Sequence, residues 1–137
     1  MGRKKVIITG GSLGIGRAIA MEFARNNWDI AVCSRKERNL IDLSKELEGQ
    51  SGSNHILDVC DVSSKADLDK FWNLVERSWG SVDVLVNNAG TYLPGQIHTE
   101  ESGLLEKLID TNLMSTYHMS RNVIPLMKER GMGYIIN

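Results

Sequence analysis

The sequence predicts an α/β protein with a doubly wound, parallel sheet of five strands, and three observations support this prediction. Short apolar runs alternate with segments of helical periodicity along the whole chain of 137 residues. A glycine-rich turn at residues 9–16 joins the first apolar run to the first helical segment. The same strand–helix order recurs along the chain, which implies parallel strands joined by right-handed crossovers. We therefore expect one domain over residues 1–137, with the strand order 3-2-1-4-5.

The spacing of apolar residues predicts where the strands and helices lie. The predicted strands are short apolar runs at residues 6–8, 29–34, 55–58, 82–86 and 134–136. The predicted helices lie near residues 15–24, at 37–47, after a cap at Ser63 or Ser64, and at 104–128. In the last helix, apolar residues follow steps of three and four and include Leu105 and Ile109. Pro125 is expected to kink that helix or to mark its last turns.

Composition and charge describe an ordinary globular protein. The chain has 42% apolar residues, 24% charged residues and a net charge of −1, and it has no basic block that would favour nucleic acid or a membrane surface. Its longest apolar stretches are too short to span a bilayer, and we identify no secretory signal. Cys33 and Cys60 lack C-x-x-C spacing, which fits a reducing, cytoplasmic compartment. The three histidines lack metal-site spacing, so we expect no metal.

The turn after the first strand has the composition of a phosphate-binding turn. It reads TGGSLGIG over residues 9–16 and opens the first helix. Glycine lets the backbone turn tightly and approach a diphosphate, and the helix N-terminus offers free N–H groups to the phosphates. A nucleotidase-type loop is disfavoured, because Arg17 and Ala18 stand where that loop needs Lys followed by Ser or Thr. The remaining alternative is a structural turn that binds no ligand.

Two further motifs follow later strands. Asp61 and Val62 come after the third strand, and the sequence NNAG follows the fourth at residues 87–90. With the glycine turn, these motifs make the chain similar to the short-chain dehydrogenase/reductase family, in particular to 3-oxoacyl-carrier-protein reductases and related carbonyl reductases. The resemblance covers residues 5–137. It implies a Rossmann-type fold and NAD(P)-dependent oxidoreduction of a small carbonyl or alcohol substrate.

The resemblance also assigns residues to a nicotinamide dinucleotide. It implies that the glycine turn lines the diphosphate, that Asp61 and Val62 flank the adenine, and that the NNAG segment borders the cofactor. Ligands of open α/β sheets bind at the carboxyl ends of the strands, where all three segments fall. The candidate cofactor-binding residues from these segments are Thr9, Gly10, Ser12, Gly14, Ile15, Gly16, Asp61, Val62, Asn87, Ala89 and Gly90.

The end of the second strand bears on the choice between NADP(H) and NAD(H). Folds that select NAD place a carboxylate there, about 20 residues past the glycine turn. This chain has Ser34, Arg35 and Lys36 instead, and a guanidinium suits a 2′-phosphate. Leu13 stands where phosphate-preferring members of the family often carry a second basic residue. We expect NADP(H), bound in part by Ser34 and Arg35; the alternative is that Arg35 and Lys36 only begin a solvated helix.

One member of the family's catalytic set is present in the chain. The family uses an Asn on the long helix, a Ser after the fifth strand, and a Tyr followed four residues later by a Lys. Asn112 matches the first, and within the predicted apolar stripe its amide needs a hydrogen-bond partner. It has either the family's role in a proton relay or a structural role. No tyrosine of the chain has a lysine four positions later, so we expect a domain that ends before the family's later strands and is inactive alone.

Three functions remain open from the sequence. The first is the family's oxidoreduction, the second is dinucleotide binding without turnover, and the third is a fragment that binds no ligand. We also expect a homo-oligomer, because the fifth strand forms a sheet edge and the long helix has a bare apolar stripe.

Overall fold

A computed structural model of the chain describes residues 2–50, 52 and 54–137. Its five strands form one parallel sheet in the order β3-β2-β1-β4-β5, which confirms the predicted topology. The strands are β1 (Lys5–Thr9), β2 (Asp29–Ser34), β3 (His55–Val59), β4 (Val84–Val86) and β5 (Tyr134–Ile136).

Helices cover both faces of the sheet because neighbouring residues of a strand point to opposite sides. Ile7, Ala31 and Leu85 are in register on one face and pack with buried residues of the third and fifth helices. Val6, Ile30 and Val84 lie on the other face, with the first and second helices. The helices are α1 (Gly14–Arg25), α2 (Glu37–Glu48), α3 (Lys65–Trp79), α4 (Leu104–Ile109) and α5 (Ser115–Arg130), with a π-helical segment (Asp110–Met114) between the last two.

The long helical region differs from its prediction in two ways. We expected one helix in which Pro125 forms a kink or marks the last turns. Pro125 lies in the last turns of α5, which ends at Arg130, and the departure from α geometry is instead the π-helical segment. The predicted apolar positions Leu105 and Ile109 are exposed. The buried stripe repeats every four residues: it contains the apolar positions Met119, Val123 and Met127 of the predicted spacing, together with two polar positions, Thr111 and Ser115. The hydroxyl of Ser115 is satisfied locally, because it donates to the Thr111 carbonyl at 2.6 Å.

The strand register brings the carboxyl ends of three strands together. Thr9 at the end of β1 is in register with Cys33 of β2, and Ile8 is in register with Val86 of β4. The segments that follow β1, β2 and β4 therefore leave the sheet at the same edge. Within the described part of the chain, no helix is long and apolar enough to cross a bilayer.

Candidate cofactor site

A cleft of about 370 Å³ opens at the carboxyl edge of the sheet. It lies where segments following β1, β2, β3 and β4 meet the π-helical segment. Its walls are formed by Gly10, Ser12, Leu13, Cys33, Ser34, Arg35, Lys36, Asn39, Cys60, Val62, Asn88, Ala89, Gly90 and Thr111. Seven of these belong to the residues expected from the sequence: Gly10, Ser12, Ser34, Arg35, Val62, Ala89 and Gly90.

The glycine turn places the N-terminus of α1 at this cleft, and no side chain caps the helix there. Gly10 and Gly14 have φ angles of +63° and +55°, a region that favours glycine. Leu13 precedes the helix in an extended conformation and makes no capping hydrogen bond, and the first turn holds no acidic residue. In contrast, the side chain of Ser64 caps α3 by accepting the N–H of Asp67. The N–H groups that begin α1 thus lack a side-chain acceptor in the described structure, which suits an anionic ligand.

Position 16 has no room for a side chain, because the NNAG segment lies close to the backbone of Gly16. A Cβ at Gly16 would lie 2.3 Å from the side-chain nitrogen of Asn88 and 2.6 Å from the carbonyl oxygen of Gly10. That amide of Asn88 donates to the carbonyls of Thr9 and Gly10 at 3.2 and 3.1 Å. The hydroxyl of Thr9 accepts the N–H of Ala89 at 3.1 Å. The two turns are therefore joined by direct hydrogen bonds, and Thr9 and Gly16 shape the cleft without lining it.

The end of β2 supplies the cationic wall of the cleft. Ser34 shares a 2.6 Å hydrogen bond with Ser12 between their hydroxyl groups, which ties the glycine turn to β2. Arg35 and Lys36 follow as exposed residues, and Asn39 from the first turn of α2 is half-buried beside them. No carboxylate is among the residues that line the cleft. This wall therefore favours a ligand with negative charge at that end.

Asp61 follows β3, and one of its carboxylate oxygens accepts hydrogen bonds from Ser63. Oδ1 accepts the backbone N–H of Ser63 at 3.0 Å and its hydroxyl at 2.7 Å. Partial burial raises the pKa of Asp61, but these hydrogen bonds and two nearby cations outweigh it, so the pKa lies below the ordinary value of 3.8. The cations are Arg35 and Lys107. Asp61 stands beside the cleft and next to Val62, which lines it.

Asn112 lies on the π-helical segment and clamps the loop after β4. Its side-chain oxygen accepts the N–H of Thr91 at 2.7 Å, and its amide nitrogen donates to the Thr91 carbonyl at 2.8 Å. The expectation that Asn112 sits within a buried apolar stripe is wrong, because the residue is exposed and the stripe runs through Thr111. Its amide is satisfied by neighbouring backbone, the structural role considered from the sequence.

Other expected residues lie outside the cleft. Asn87 donates to the side chains of Ser120 at 3.3 Å and Asn137 at 2.9 Å, so it joins β4 to α5 and to the end of β5. Gly14 and Ile15 begin α1, and the Ile15 side chain is 75% exposed. In the structure, Asn87 therefore joins β4 to neighbouring elements, and Gly14 and Ile15 lie at the end of the glycine turn, where α1 begins.

Some cleft residues were not among those expected from the sequence. Cys33 is the second-last residue of β2 and Cys60 follows β3; hydrogen bonding with Cys60, together with burial, raises the pKa of Cys33 well above that of an ordinary thiol. Asn88 was overlooked although it lies inside the NNAG motif. Thr111 had no local signal, because its position depends on how the π-helical segment crosses the sheet edge. Leu13 and Lys36 are sequence neighbours of expected residues, and Asn39 lies beside Arg35 and Lys36 in the cleft wall.

A comparison with protein families identifies the group to which this arrangement belongs. A family model described as short chain dehydrogenase matches residues 4–137. The chain belongs to the short-chain dehydrogenase family. Among curated relatives, this short-chain dehydrogenase is 35% identical over 135 residues to the NADPH-dependent pterin aldehyde reductase of Arabidopsis thaliana, covering 98% of the chain and 55% of that protein.

Other relatives and solved structures agree with this assignment. A 3-ketodihydrosphingosine reductase of Mus musculus is 35% identical, with 96% of the chain and 41% of the relative aligned. A metagenomic short-chain oxidoreductase in complex with NADP has a TM-score of 0.91 and 31% identity, with 98% of this chain and 61% of that one covered. L-sorbose reductase of Gluconobacter frateurii with NADPH has a TM-score of 0.92 and 30% identity, covering 98% and 51%. The chain spans about half the length of the curated relatives it matches. The finer resemblance to 3-oxoacyl-carrier-protein reductases stays a prediction.

Proposed function

We propose that the chain is the nucleotide-binding half of an NADP(H)-dependent short-chain dehydrogenase that interconverts a carbonyl and an alcohol. The observation that carries the proposal is the cleft itself. It combines the uncapped N-terminus of α1 with a cationic wall at Arg35 and Lys36 and contains no carboxylate among its lining residues. A dinucleotide with an additional phosphate has the charge distribution that this cleft favours.

The residues of the cleft divide among the parts of the cofactor. In the proposal, the turn with Gly10, Ser12 and the start of α1 holds the diphosphate. Ser34 and Arg35 hold the 2′-phosphate, and Asp61 and Val62 flank the adenine. The NNAG segment borders the remainder of the cofactor, with Gly90 next to the loop that Asn112 clamps. Similar proteins whose structures contain NADP or NADPH support this choice of cofactor.

When bound in this cleft, NADPH would supply the hydride for carbonyl reduction. The chain's own residues bind the dinucleotide, orient it and fix the loop after Gly90. Reduction also needs an acid to protonate the developing alkoxide, and residues 1–137 contain no Tyr-x-x-x-Lys sequence: Gln96 follows Tyr92 by four residues, and Arg121 follows Tyr117 by four. Asn112 does not take that role, because an amide does not titrate near neutral pH. We therefore propose that these 137 residues bind the cofactor without turning over substrate. The same proposal places the protein in a reducing, cytoplasmic compartment, where the free thiols of Cys33 and Cys60 persist.

Titration calorimetry with NADPH and NADH tests the proposed cofactor. Arg35→Asp is expected to weaken NADPH binding by about 1.5–3 kcal/mol, the scale of a charged hydrogen bond, and to leave NADH binding little changed. Arg38→Asp is the matched control, because Arg38 is also exposed, in the first turn of α2, but does not line the cleft. Equal NADPH affinity in wild type and Arg35→Asp would show that Arg35 does not contribute to NADPH binding.

An activity assay separates the proposed half-enzyme from a complete one. We expect no enzyme-like NADPH oxidation by the 137-residue chain with ketones, aldehydes and β-ketoacyl thioesters, because general acid catalysis alone contributes about 10²–10⁴-fold. A second protein carries a relative's Ser, Tyr-x-x-x-Lys and later strands after Asn137, and we expect turnover from that protein. Robust turnover by the 137-residue chain would contradict the proposal, and a wild type that binds no dinucleotide would favour the ligand-free alternative.

A further inference from the structure

Asn39 lines the cationic wall of the cleft but belongs to neither the glycine turn nor the NNAG segment. It lies in the first turn of α2, and its backbone N–H donates to the Lys36 carbonyl at 3.1 Å. This hydrogen bond holds Asn39 next to Lys36, at the end of the cleft that Ser34 and Arg35 also line. The wall therefore combines two cations with one neutral amide.

The amide of Asn39 is held more firmly than the two charged groups beside it. Arg35 and Lys36 are exposed and have long, flexible side chains, whereas the side chain of Asn39 is short and the residue is half-buried. Within the described part of the chain, no group forms a hydrogen bond with its carboxamide, and its polar atoms are not shut off from solvent. The carboxamide therefore has both its donor and its acceptor available to a ligand in the cleft.

We propose that Asn39 is a specificity-determining residue of the cofactor site, whose amide donates a hydrogen bond to the 2′-phosphate. This inference rests on the proposed function, in which Ser34 and Arg35 hold that phosphate. An amide donates a stronger hydrogen bond to an ionised phosphate than to the neutral 2′-hydroxyl of NAD(H). Exposed cations attract any phosphate weakly through solvent, whereas the half-buried amide selects a phosphate at one position. Asn39 thus adds a preference for NADP(H) that depends on geometry rather than on net charge.

Asn39→Leu and Asn39→Asp test this inference by calorimetry with NADPH and NADH. Asn39→Leu removes the donor at similar volume, so NADPH should bind about five- to tenfold more weakly and NADH should change by about twofold or less. Asn39→Asp keeps the shape but places a carboxylate beside the phosphate. NADPH should then bind at least about tenfold more weakly, while NADH binds as well or better, because a carboxylate accepts a ribose hydroxyl. An acidic residue in the first turn of a helix is favourable, so we expect Asn39→Asp to fold.

Arg38→Gln is the matched control for Asn39→Asp. It lowers the net charge by the same amount at the preceding position of α2, but Arg38 does not line the cleft. We expect it to leave the ratio of NADPH to NADH affinity within about twofold of wild type. An unchanged ratio in both Asn39 variants, or an equal change in Arg38→Gln, would overturn the inference. An equal loss of both dinucleotides in Asn39→Leu would also overturn it, because Asn39 would then shape the cleft without selecting the phosphate.

NMR of the wild-type chain provides an independent readout that needs no substitution. Adenosine 2′,5′-bisphosphate should shift the side-chain amide resonances of Asn39, whereas adenosine 5′-monophosphate, which lacks the 2′-phosphate, should leave them nearly unchanged. Equal shifts with both nucleotides would contradict a hydrogen bond to the 2′-phosphate. A wild type that binds neither dinucleotide would contradict the proposed function and the inference together. Wild-type preference for NADPH with unaltered Asn39 variants would contradict only the inference.

Discussion

Two glycines of the same turn are required for different physical reasons. Gly14 has a φ angle of +55°, and a Cβ there would meet no atom within 4 Å, so its requirement is conformational. Gly16 has no unusual φ angle, but a Cβ would collide with Asn88 and with the backbone of Gly10. A sequence motif records both as glycine, whereas the structure separates backbone conformation from contact across the sheet edge.

Alanine substitutions should distinguish these two requirements. Gly14→Ala is expected to destabilise the fold by about 1–2 kcal/mol, the cost of a left-handed conformation for a residue with a Cβ. Gly16→Ala should cost more and abolish NADPH binding, because the carbonyl of Gly10 must move and the turn moves with it. Urea unfolding and calorimetry measure the two effects, with Gly2→Ala as the control, because a Cβ at Gly2 meets nothing. Equal stability of the Gly14 and Gly16 variants would contradict this account.

Asp61 gives a pH dependence whose sign follows from its lowered pKa. Because the folded-state pKa lies below 3.8, Asp61 contributes stability at higher pH that is lost as pH falls through the folded value. Ser63→Ala removes one of the two hydrogen bonds to Oδ1, so the pKa of Asp61 should rise toward 3.8 and the loss of stability as the pH falls below that value should become smaller. NMR titration and urea unfolding check this, with Ser78→Ala as the control. An unchanged Asp61 pKa in Ser63→Ala would contradict the prediction.

At the scale of elements, the π-helical segment connects the long helix to the loop after β4. The widened turn carries Asn112, whose amide bonds both backbone groups of Thr91, and it also places Thr111 in the cleft. π-Helical turns occur often at functional sites. Here two successive residues of the segment have different roles: Thr111 lines the cleft, and Asn112 binds the loop after β4.

Asn112→Ala should destabilise the fold by about 1 kcal/mol, because it removes two hydrogen bonds at an exposed position. Asn73→Ala, on the exposed surface of α3, is the control for the change in helix propensity and should shift stability by less than about 0.5 kcal/mol. Urea unfolding measures both variants. Hydrogen exchange should show that the Thr91 amide loses its protection in Asn112→Ala alone. If the Thr91 amide stays protected in Asn112→Ala, its hydrogen bond to Asn112 is not the main cause of that protection.

At the scale of the whole molecule, the sheet has an exposed boundary at β5. Tyr134 and Ile136 are 67% and 50% exposed, whereas Ile135 between them packs against the core. Paired on one side with β4, β5 presents its other edge to solvent within the described structure. An unpaired strand edge with apolar side chains promotes pairing with other chains.

The 137-residue chain is therefore expected to self-associate with increasing concentration. Tyr134→Lys should reduce this association, because a lysine at a strand edge disfavours pairing. Leu74→Lys introduces the same charge at an exposed apolar position of α3 and serves as the control. Light scattering over a range of concentrations measures the effect. A wild-type monomer at high concentration would count against association through β5.

The sequence by itself determined the strand order, the layered arrangement and the position of the glycine turn, because each depends on local patterns. Alternating apolar runs and helical spacing are properties of neighbouring residues, and right-handed crossovers leave few topologies for them. The sequence also predicted seven residues of the cleft, and only the tertiary structure decided the others. Asn88 reaches the carbonyls of Thr9 and Gly10 across 79 and 78 residues of chain, and this contact depends on the register of β1 with β4. The place of Thr111 likewise depends on how the π-helical segment crosses the sheet edge, and no local pattern of residues encodes that crossing.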